Sequence, residues 1–335
     1  MEFLEKNLIS LFLLFLFKTL IISRMKKYYL LPFFAAILVL VSCKKEEVTP
    51  EVNEPKLIFL LDFDSTQVRL NNIGQTSTIP SGHATQSPKM NKMSAHYIEL
   101  AQSALTQIGS GVVVYHAPET SIGGGVAIDF SKAILVGKGG KFFEIPLKNV
   151  AVGEYEYLRV SIGYQNFDVK LHVDTTVNVA GIGNVNIVQD YPSTIASFVG
   201  FNSYITNFLI KTDNIVVNAN KSQGFWGFEM KGNYNGYPIN YTGTGQAPAG
   251  ATTVVNPIAS TSPNPVGSCL VTGPFNGGKL KITGNETKDI VVRVSMSTNQ
   301  SFEWIDGNAN GKWEPSKGES VVDMGLRGMI PFVQY

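Results

Sequence analysis

Charged residues, cysteine and histidine are all scarce in this 335-residue chain. Asp, Glu, Lys and Arg make up 16% of the residues, whereas roughly 25% is typical of soluble globular chains. Residues 1–42 hold five of the 27 basic and two of the 26 acidic residues, so the chain from Cys43 onward carries a net charge of −2. Because no basic stripe is available to neutralise phosphates, we do not expect nucleic-acid binding.

The cysteines are Cys43 and Cys269, and the four histidines are far apart in the sequence. If Cys43 is modified, a disulfide framework and thiolate-rich zinc sites are excluded. Cys269 is then expected to be a small residue beside the start of a strand. No two histidines have the short spacings of a local zinc motif, which leaves open only a zinc site assembled in three dimensions. The histidines are His83, His96, His116 and His172.

Local catalytic motifs are also missing. The chain has no G-x-S-x-G elbow and no H-E-x-x-H, and its glycine run at 123–125 is not followed by Lys-Ser/Thr. We therefore assign no catalytic residue. A glycosidase pair remains open, because the separation of two carboxylates in space decides it. The candidate carboxylates are Glu99, Glu119, Asp129, Glu144, Glu154 and Glu156.

The clearest signal that is present lies at residues 25–43. A basic start at Met25-Lys-Lys is followed by an apolar stretch and then by Leu40-Val-Ser-Cys43. This ending resembles the lipobox of bacterial lipoproteins, in which the cysteine is acylated and becomes the first residue of the mature protein. The resemblance implies a membrane anchor at Cys43. Since Met25 begins a complete signal peptide, we expect residues 1–42 to be a signal region whose true start is Met25.

The segment after Cys43 begins with a charged patch, Lys44-Lys-Glu-Glu47. This patch resembles the surface-export signal of lipoproteins from Bacteroidota-type bacteria, which implies an outer-membrane protein exposed at the cell surface. Residues 43–55 contain two prolines and several glutamates, and are predicted to be a flexible tether.

From residue 56 onward, apolar residues recur with a period of two. Strands of this kind are predicted at 158–164, 169–174 and 290–296, with both Arg159 and Ser161 facing away from the core. Many short strands separated by glycine and asparagine turns indicate an all-β fold, an antiparallel sandwich or barrel-like domain with long loops. Residues 96–108 are the one candidate for a short helix.

Two segments show little periodicity, and these are 72–94 and 243–268. Long structureless loops are uncommon inside compact domains. We expect one β-rich domain over 56–335, and the second segment is the place where a division would fall.

The sharpest local motif is Asp306-Gly-Asn308-Ala-Asn310-Gly, which matches the start of a calcium loop. The twelfth position is Lys317, so an EF-hand is excluded, and Glu314 and Glu319 are the carboxylates that could complete another type of Ca²⁺ site. Strands are predicted on both sides. The alternative is a plain hairpin turn, because Asn-Gly is a strong turn signal.

Aromatic residues supply the candidate ligand surface. In the strand at 225–228, alternation predicts that Trp226 faces away from both Phe225 and Phe228 and is exposed, with Tyr234 and Tyr237 nearby. Such a surface stacks on a sugar ring or on a partner protein.

The leading functional prediction is a non-enzymatic cell-surface lipoprotein that binds a glycan or a partner protein of an outer-membrane assembly. The alternatives are a secreted hydrolase such as a glycosidase, and a structural envelope component with a Ca²⁺-stabilised loop.

Overall fold

A computed structural model describes residues 54–71, 73–247 and 269–335. These described residues form one compact unit. Cys43 and most of the expected tether lie outside the described residues, as does 248–268. Within the described ranges, the regular structure is strand apart from a few 3₁₀ turns, and no helix there is long and apolar enough to cross a membrane.

The strands are numbered here in chain order. The first ten are β1 (Lys56–Asp64), β2 (His83–Gln86), β3 (Lys89–Ala101), β4 (Val112–His116), β5 (Glu119–Thr120), β6 (Ala127–Asp129), β7 (Gly140–Pro146), β8 (Gly153–Tyr155), β9 (Tyr157–Val179) and β10 (Gly183–Phe198). The others are β11 (Asn202–Leu209), β12 (Asn214–Ser222), β13 (Phe225–Tyr234), β14 (Tyr237–Gln246), β15 (Cys269–Pro274), β16 (Leu280–Ile282), β17 (Ile290–Ser297), β18 (Phe302–Ile305), β19 (Val321–Met324) and β20 (Met329–Gln334).

The largest sheet has seven strands, ordered β14-β13-β10-β9-β3-β4, with β15 also paired to β9. Strand β9 is 23 residues long and organises this sheet. Its first residues pair with β3 on one edge and β15 on the other, and its later residues pair with β10. The sequence prediction of an all-β, mainly antiparallel fold is therefore confirmed.

A four-stranded sheet, β20-β17-β1-β7, packs against the β3-β9-β15 end of the large sheet. The alternation predicted for 290–296 is confirmed, since Ile290, Val292, Val294 and Met296 are all buried in the core between these two layers. The prediction for 158–164 is only half right, because Arg159 is buried as well. Its guanidinium lies 3.0 Å from the Glu99 carboxylate and donates to the carbonyls of the 102–111 loop.

The other end of the large sheet, formed by β9, β10 and β13, is covered on both faces. One face carries Phe167, Ile195 and Phe228 and packs under the three-stranded sheet β19-β18-β2. The opposite face carries Phe198 and Phe225 and packs on the four-stranded sheet β12-β11-β6-β5. This arrangement places the connection between β18 and β19 over β9 and β13.

The helix predicted over 96–108 is wrong, and the irregular segment predicted over 72–94 is right for 73–82 but wrong beyond it. Residues 83–86 and 89–101 are strands β2 and β3. Strand β3 shifts its register against β9 three times, twice around Ala95. Each β-bulge inserts a residue and breaks the alternation of apolar side chains, so Ala95 and Ile98 face the same core although they are three residues apart. Apolar residues three apart on one face are also typical of an α-helix, which is why the sequence pattern was misleading here.

Cys269 begins strand β15 and is buried, as the sequence predicts for a packing residue. Burial raises the pKa of its thiol to about 12, so the reactive thiolate form is strongly disfavoured.

Candidate functional site

The connection between β18 and β19, residues 306–320, contains all five candidate calcium ligands. Strands flank it on both sides, as predicted. Asp306 accepts hydrogen bonds from the backbone amides of Asn310 and Gly311, at 3.2 and 2.8 Å. The side-chain amides of Asn308 and Asn310 donate to the same oxygen of Glu314, at 2.6 and 2.5 Å. The motif residues therefore fold into one closed loop around Glu314.

Glu314 and Glu319 lie side by side inside this loop, and both are buried. Burial opposes ionisation of Glu314, but bonds from Lys317, Asn308 and Asn310 outweigh it and lower the pKa of this carboxyl to about 2. The Lys317 ammonium lies 2.8 Å from Glu314. Glu319 accepts the Glu314 backbone amide at 2.6 Å, yet burial raises the pKa of Glu319, and the nearby Asp306 and Glu314 carboxylates raise it further.

Beside this loop lies a groove with a volume of about 620 Å³, here called the aromatic groove. Its aromatic residues are Trp226 and Phe228 from β13, Tyr241 from β14, and Trp313 from the loop. Trp313 is anchored by Phe302, 4.8 Å away between ring centroids, and by Phe228 at 6.1 Å. Thr244 and Gln246 also border the groove, but they alternate with the glycines that pair with Trp226 and Phe228, so their side chains face the other side of the hairpin. The other polar lining residues are His172, Thr175, Ser316, Glu319 and Ser320. The volume is typical of sites for small ligands.

The structure corrects the predicted orientation of Trp226. Phe225 and Phe228 are three residues apart and face opposite sides of β13, and Trp226 shares its side with Phe228. Trp226 is half-buried and pairs across the hairpin with Gly245. A Cβ on Gly245 would overlap the indole, so the glycine leaves room for the Trp226 ring to lie across β14.

Tyr234 and Tyr237 lie elsewhere, at the turn that joins β13 to β14. They pair with each other across Asn235-Gly236. The Tyr234 hydroxyl donates to the Asn186 carbonyl at 2.8 Å, and Tyr237 is 65% exposed. Eight residues of extended strand separate Tyr234 from Trp226, a distance of about 26 Å. The structure therefore does not bring the three predicted ligand-binding residues together.

Of the carboxylates considered for a glycosidase pair, Glu154 and Glu156 lie near each other, since both contact the Lys279 ammonium, at 3.8 and 2.9 Å. Their exposed fractions are 51% and 45%, and both are ion-paired. Glu99 is bound to Arg159, and Glu144 contacts both Lys56 and Lys141. Three others are held by nearby groups: Glu154 and Glu156 by lysines of β16 and its preceding turn, and Asp129 by Ser131. The sixth candidate, Glu119, contacts His96 at 2.9 Å, and none of the six belongs to the lining of the aromatic groove. Among the described residues that line it, Glu319 is the carboxylate.

Sequence reasoning missed Trp313 as part of the site, because it lies in a loop and follows no period. It also missed that His96, His116 and Glu119 come together, from three different strands. The Asn235-Gly236 turn does fix the register of β13 against β14, and therefore the pairing of Trp226 with Gly245. No family model, characterised protein or solved structure matched the chain in comparisons of sequence and fold.

Proposed function

We propose that this chain is a lipid-anchored, cell-surface protein whose β-rich domain binds carbohydrate in the aromatic groove without catalysing a reaction. The observation that carries the proposal is the convergence of Trp226, Phe228, Tyr241 and Trp313 on one concave surface whose lining also includes hydroxyl-bearing residues.

Carbohydrate fits this groove better than an apolar ligand does. A sugar ring has an apolar face of C–H groups, which stacks on an indole, and hydroxyls around its edge. Tyr241 is 59% exposed and Trp226 is half-buried, so both rings are accessible to a ligand. Thr175 on β9 and Ser316 and Ser320 of the loop line the same groove and supply hydroxyl groups. A flat protein partner would leave the concave floor unfilled.

Binding is also favoured over hydrolysis. A glycosidase of the usual kind needs two carboxylates, roughly 5–9.5 Å apart, on either side of the scissile bond. The groove offers Glu319, and the neighbouring Glu314 is fully buried and bonded to Asn308, Asn310 and Lys317. Because the described lining offers one carboxylate, and that one is largely buried, the groove does not present an acid–base pair to a ligand.

The proposed location depends on Cys43 and the patch Lys44–Glu47. The signal segment 25–43 ends in a lipobox-like sequence, and an acylated cysteine would hold the domain at a membrane. The acidic and lysine residues after it support export to the outer face of the outer membrane, where polysaccharides are encountered.

The test is an oligosaccharide array probed with the full chain in detergent, followed by affinity measurement for the best ligand. Trp226→Ala is expected to weaken binding at least tenfold, since the sugar loses its stacking surface. Tyr237→Ala is the matched control, because it removes an exposed aromatic residue about 26 Å along the same hairpin. A blank array for the wild-type chain, or equal affinities for the wild type and Trp226→Ala, would reject the carbohydrate proposal. Loss of binding in Tyr237→Ala alone would move the site to the hairpin turn.

A further inference from the structure

Two histidines and one glutamate converge where the large sheet meets the β5 strand. His96 Nε2 lies 2.9 Å from Glu119 Oε1, and His116 Nε2 lies 3.7 Å from the same oxygen. The imidazole rings are 4.8 Å apart between centroids. Among the described residues, His96, His116 and Glu119 are the one group of three His, Cys, Asp or Glu side chains whose ligand atoms all lie within 4.8 Å of one another.

The backbone creates this convergence. His96 occupies a bulge of β3, between Ala95 and Tyr97, where the register against β9 shifts. β-Bulges change the direction in which a side chain points. On the neighbouring strand His116 pairs with Tyr97, and the Ala117 amide donates to the His96 carbonyl at 2.7 Å. The chain then enters β5, which begins with Glu119.

The surroundings of the two histidines orient their Nε2 atoms and leave the cluster open to solvent. His116 Nδ1 lies 2.9 Å from the Ala117 carbonyl oxygen, which accepts its proton and leaves the Nε2 lone pair directed away from the backbone. His96 is 2% exposed and contacts the Phe201 ring, so its position is fixed by packing. His116 and Glu119 are 46% and 28% exposed, so an ion can reach the cluster from solvent.

We propose that His96 Nε2, His116 Nε2 and the Glu119 carboxylate bind a Zn²⁺ ion, with the fourth position open to water. Two imidazoles and a carboxylate are a donor set that zinc uses in proteins, with ligand distances of about 2.0–2.2 Å. Tetrahedral geometry at those distances separates the ligand atoms by roughly 3.3 Å. The observed separations of 2.9 and 3.7 Å lie on either side of this value.

A hydrogen-bonded His–Glu pair would account for His96 and Glu119, but it leaves the second imidazole unexplained. The domain contains simple pairs of this kind, His172 with Asp190 at 2.6 Å and His83 with Glu303 at 2.5 Å. Neither has a second histidine directed at the carboxylate within the described residues. The zinc site is separate from the aromatic groove and uses none of its lining residues.

The test is calorimetric titration of ZnCl₂ into the full chain, purified without a polyhistidine tag and dialysed against a chelator. The wild type is expected to bind one ion, and His116→Ala and Glu119→Gln are each expected to weaken binding at least tenfold. His83→Gln is the matched control and is expected to leave the affinity unchanged. Because His116 is nearly half exposed, its variant should keep the fold, which circular dichroism of the zinc-free proteins checks.

Co²⁺ provides a second measurement, since a tetrahedral site gives an intense visible absorption that His116→Ala would lose. Absence of zinc binding to the wild type would overturn the proposal. Equal zinc affinities for the wild type, His116→Ala and Glu119→Gln would overturn it as well. Neither result depends on whether the groove binds carbohydrate.

Discussion

The 306–320 loop and the His96–His116–Glu119 cluster are both candidate metal sites, and they differ in how their polar atoms are satisfied. In the loop, Asp306, Asn308 and Asn310 accept backbone amides, and Lys317 supplies a cation to Glu314. In the cluster, two imidazole nitrogens face one carboxylate oxygen. The loop is a contiguous motif that forms most of its bonds internally, whereas the cluster is assembled from separate strands.

This difference explains why one site was visible in the sequence and the other was not. A calcium-like motif is defined by spacing, and the same spacing also produces a well-bonded turn. Among the described residues, the loop carboxylates do not form a group of three within 4.8 Å, and the histidine cluster does. By this geometric criterion, the histidine cluster is closer to a preformed metal site than the loop is.

The largest expected effect concerns how the loop is held to the domain. Trp313 is 6% exposed and packs between Phe228 and Phe302. Trp313→Ala should lower the free energy of unfolding by about 3–5 kcal/mol, because it leaves a cavity under the loop. Urea unfolding measures this change. Trp226→Ala, which truncates a half-buried indole, should cost less than about 2 kcal/mol.

Zinc affinity, measured on the same variants, separates the 306–320 loop from the His96–His116–Glu119 cluster. Trp313→Ala is expected to weaken carbohydrate binding and to leave Zn²⁺ binding unchanged at a temperature where the variant is folded. A similar stability loss for Trp226→Ala and Trp313→Ala would show that the loop is held by its polar bonds instead.

The next largest effect is the contribution of Glu314 to the free energy of unfolding, which depends on pH. The folded pKa of about 2 is below the ordinary value near 4.5, so this carboxylate stabilises the folded protein above pH 4.5. The contribution is lost as the pH falls from about 5 towards 2. Glu314→Gln should therefore cost about 1.5–3 kcal/mol at pH 7, from the weakened bonds to charged and amide groups.

The measurement compares the unfolding free energies of the wild type and Glu314→Gln at several pH values. The difference between them should shrink as the pH falls from 5 to 2. Other carboxylates with lowered pKa values, such as Glu229, remain in both proteins and cancel in this comparison. A difference that stays constant with pH would mean that the variant acts through packing and not through charge.

Much of the fold was predictable because its strands alternate cleanly, as β17 does. What escaped prediction was decided by long-range contacts. The end of strand β3, residues 96–101, was mistaken for part of a helix because bulges around Ala95 broke its alternation. Arg159 was expected on a solvated face because its buried partner, Glu99, is sixty residues earlier and cannot be identified from the strand that contains Arg159. The position of Trp313 depends on how a loop packs, and periodicity carries no information about that.

The smallest expected effect is that of Glu319→Gln on stability, and it bears on whether the loop binds calcium. Glu319 has a raised pKa, so its ionised form is disfavoured in the folded protein, first by burial and then by Asp306 and Glu314. Its favourable contribution is present below its ordinary pKa and is lost as the pH rises through the folded pKa. Without calcium, Glu319→Gln should therefore stabilise the protein at pH 7 by roughly 1 kcal/mol and have little effect in acid, as thermal unfolding would show.

Calcium would reverse this outcome if the loop binds it. Millimolar Ca²⁺ should raise the melting temperature of the wild type and leave that of Glu319→Gln unchanged, because the variant loses a charged oxygen ligand. Glu154→Gln, in an exposed salt bridge outside the loop, is the control and should respond like the wild type. Equal calcium responses in all three proteins would place any calcium outside the loop. The absence of a response in the wild type would identify the motif as a turn held by its own hydrogen bonds, with Lys317 as the permanent cation.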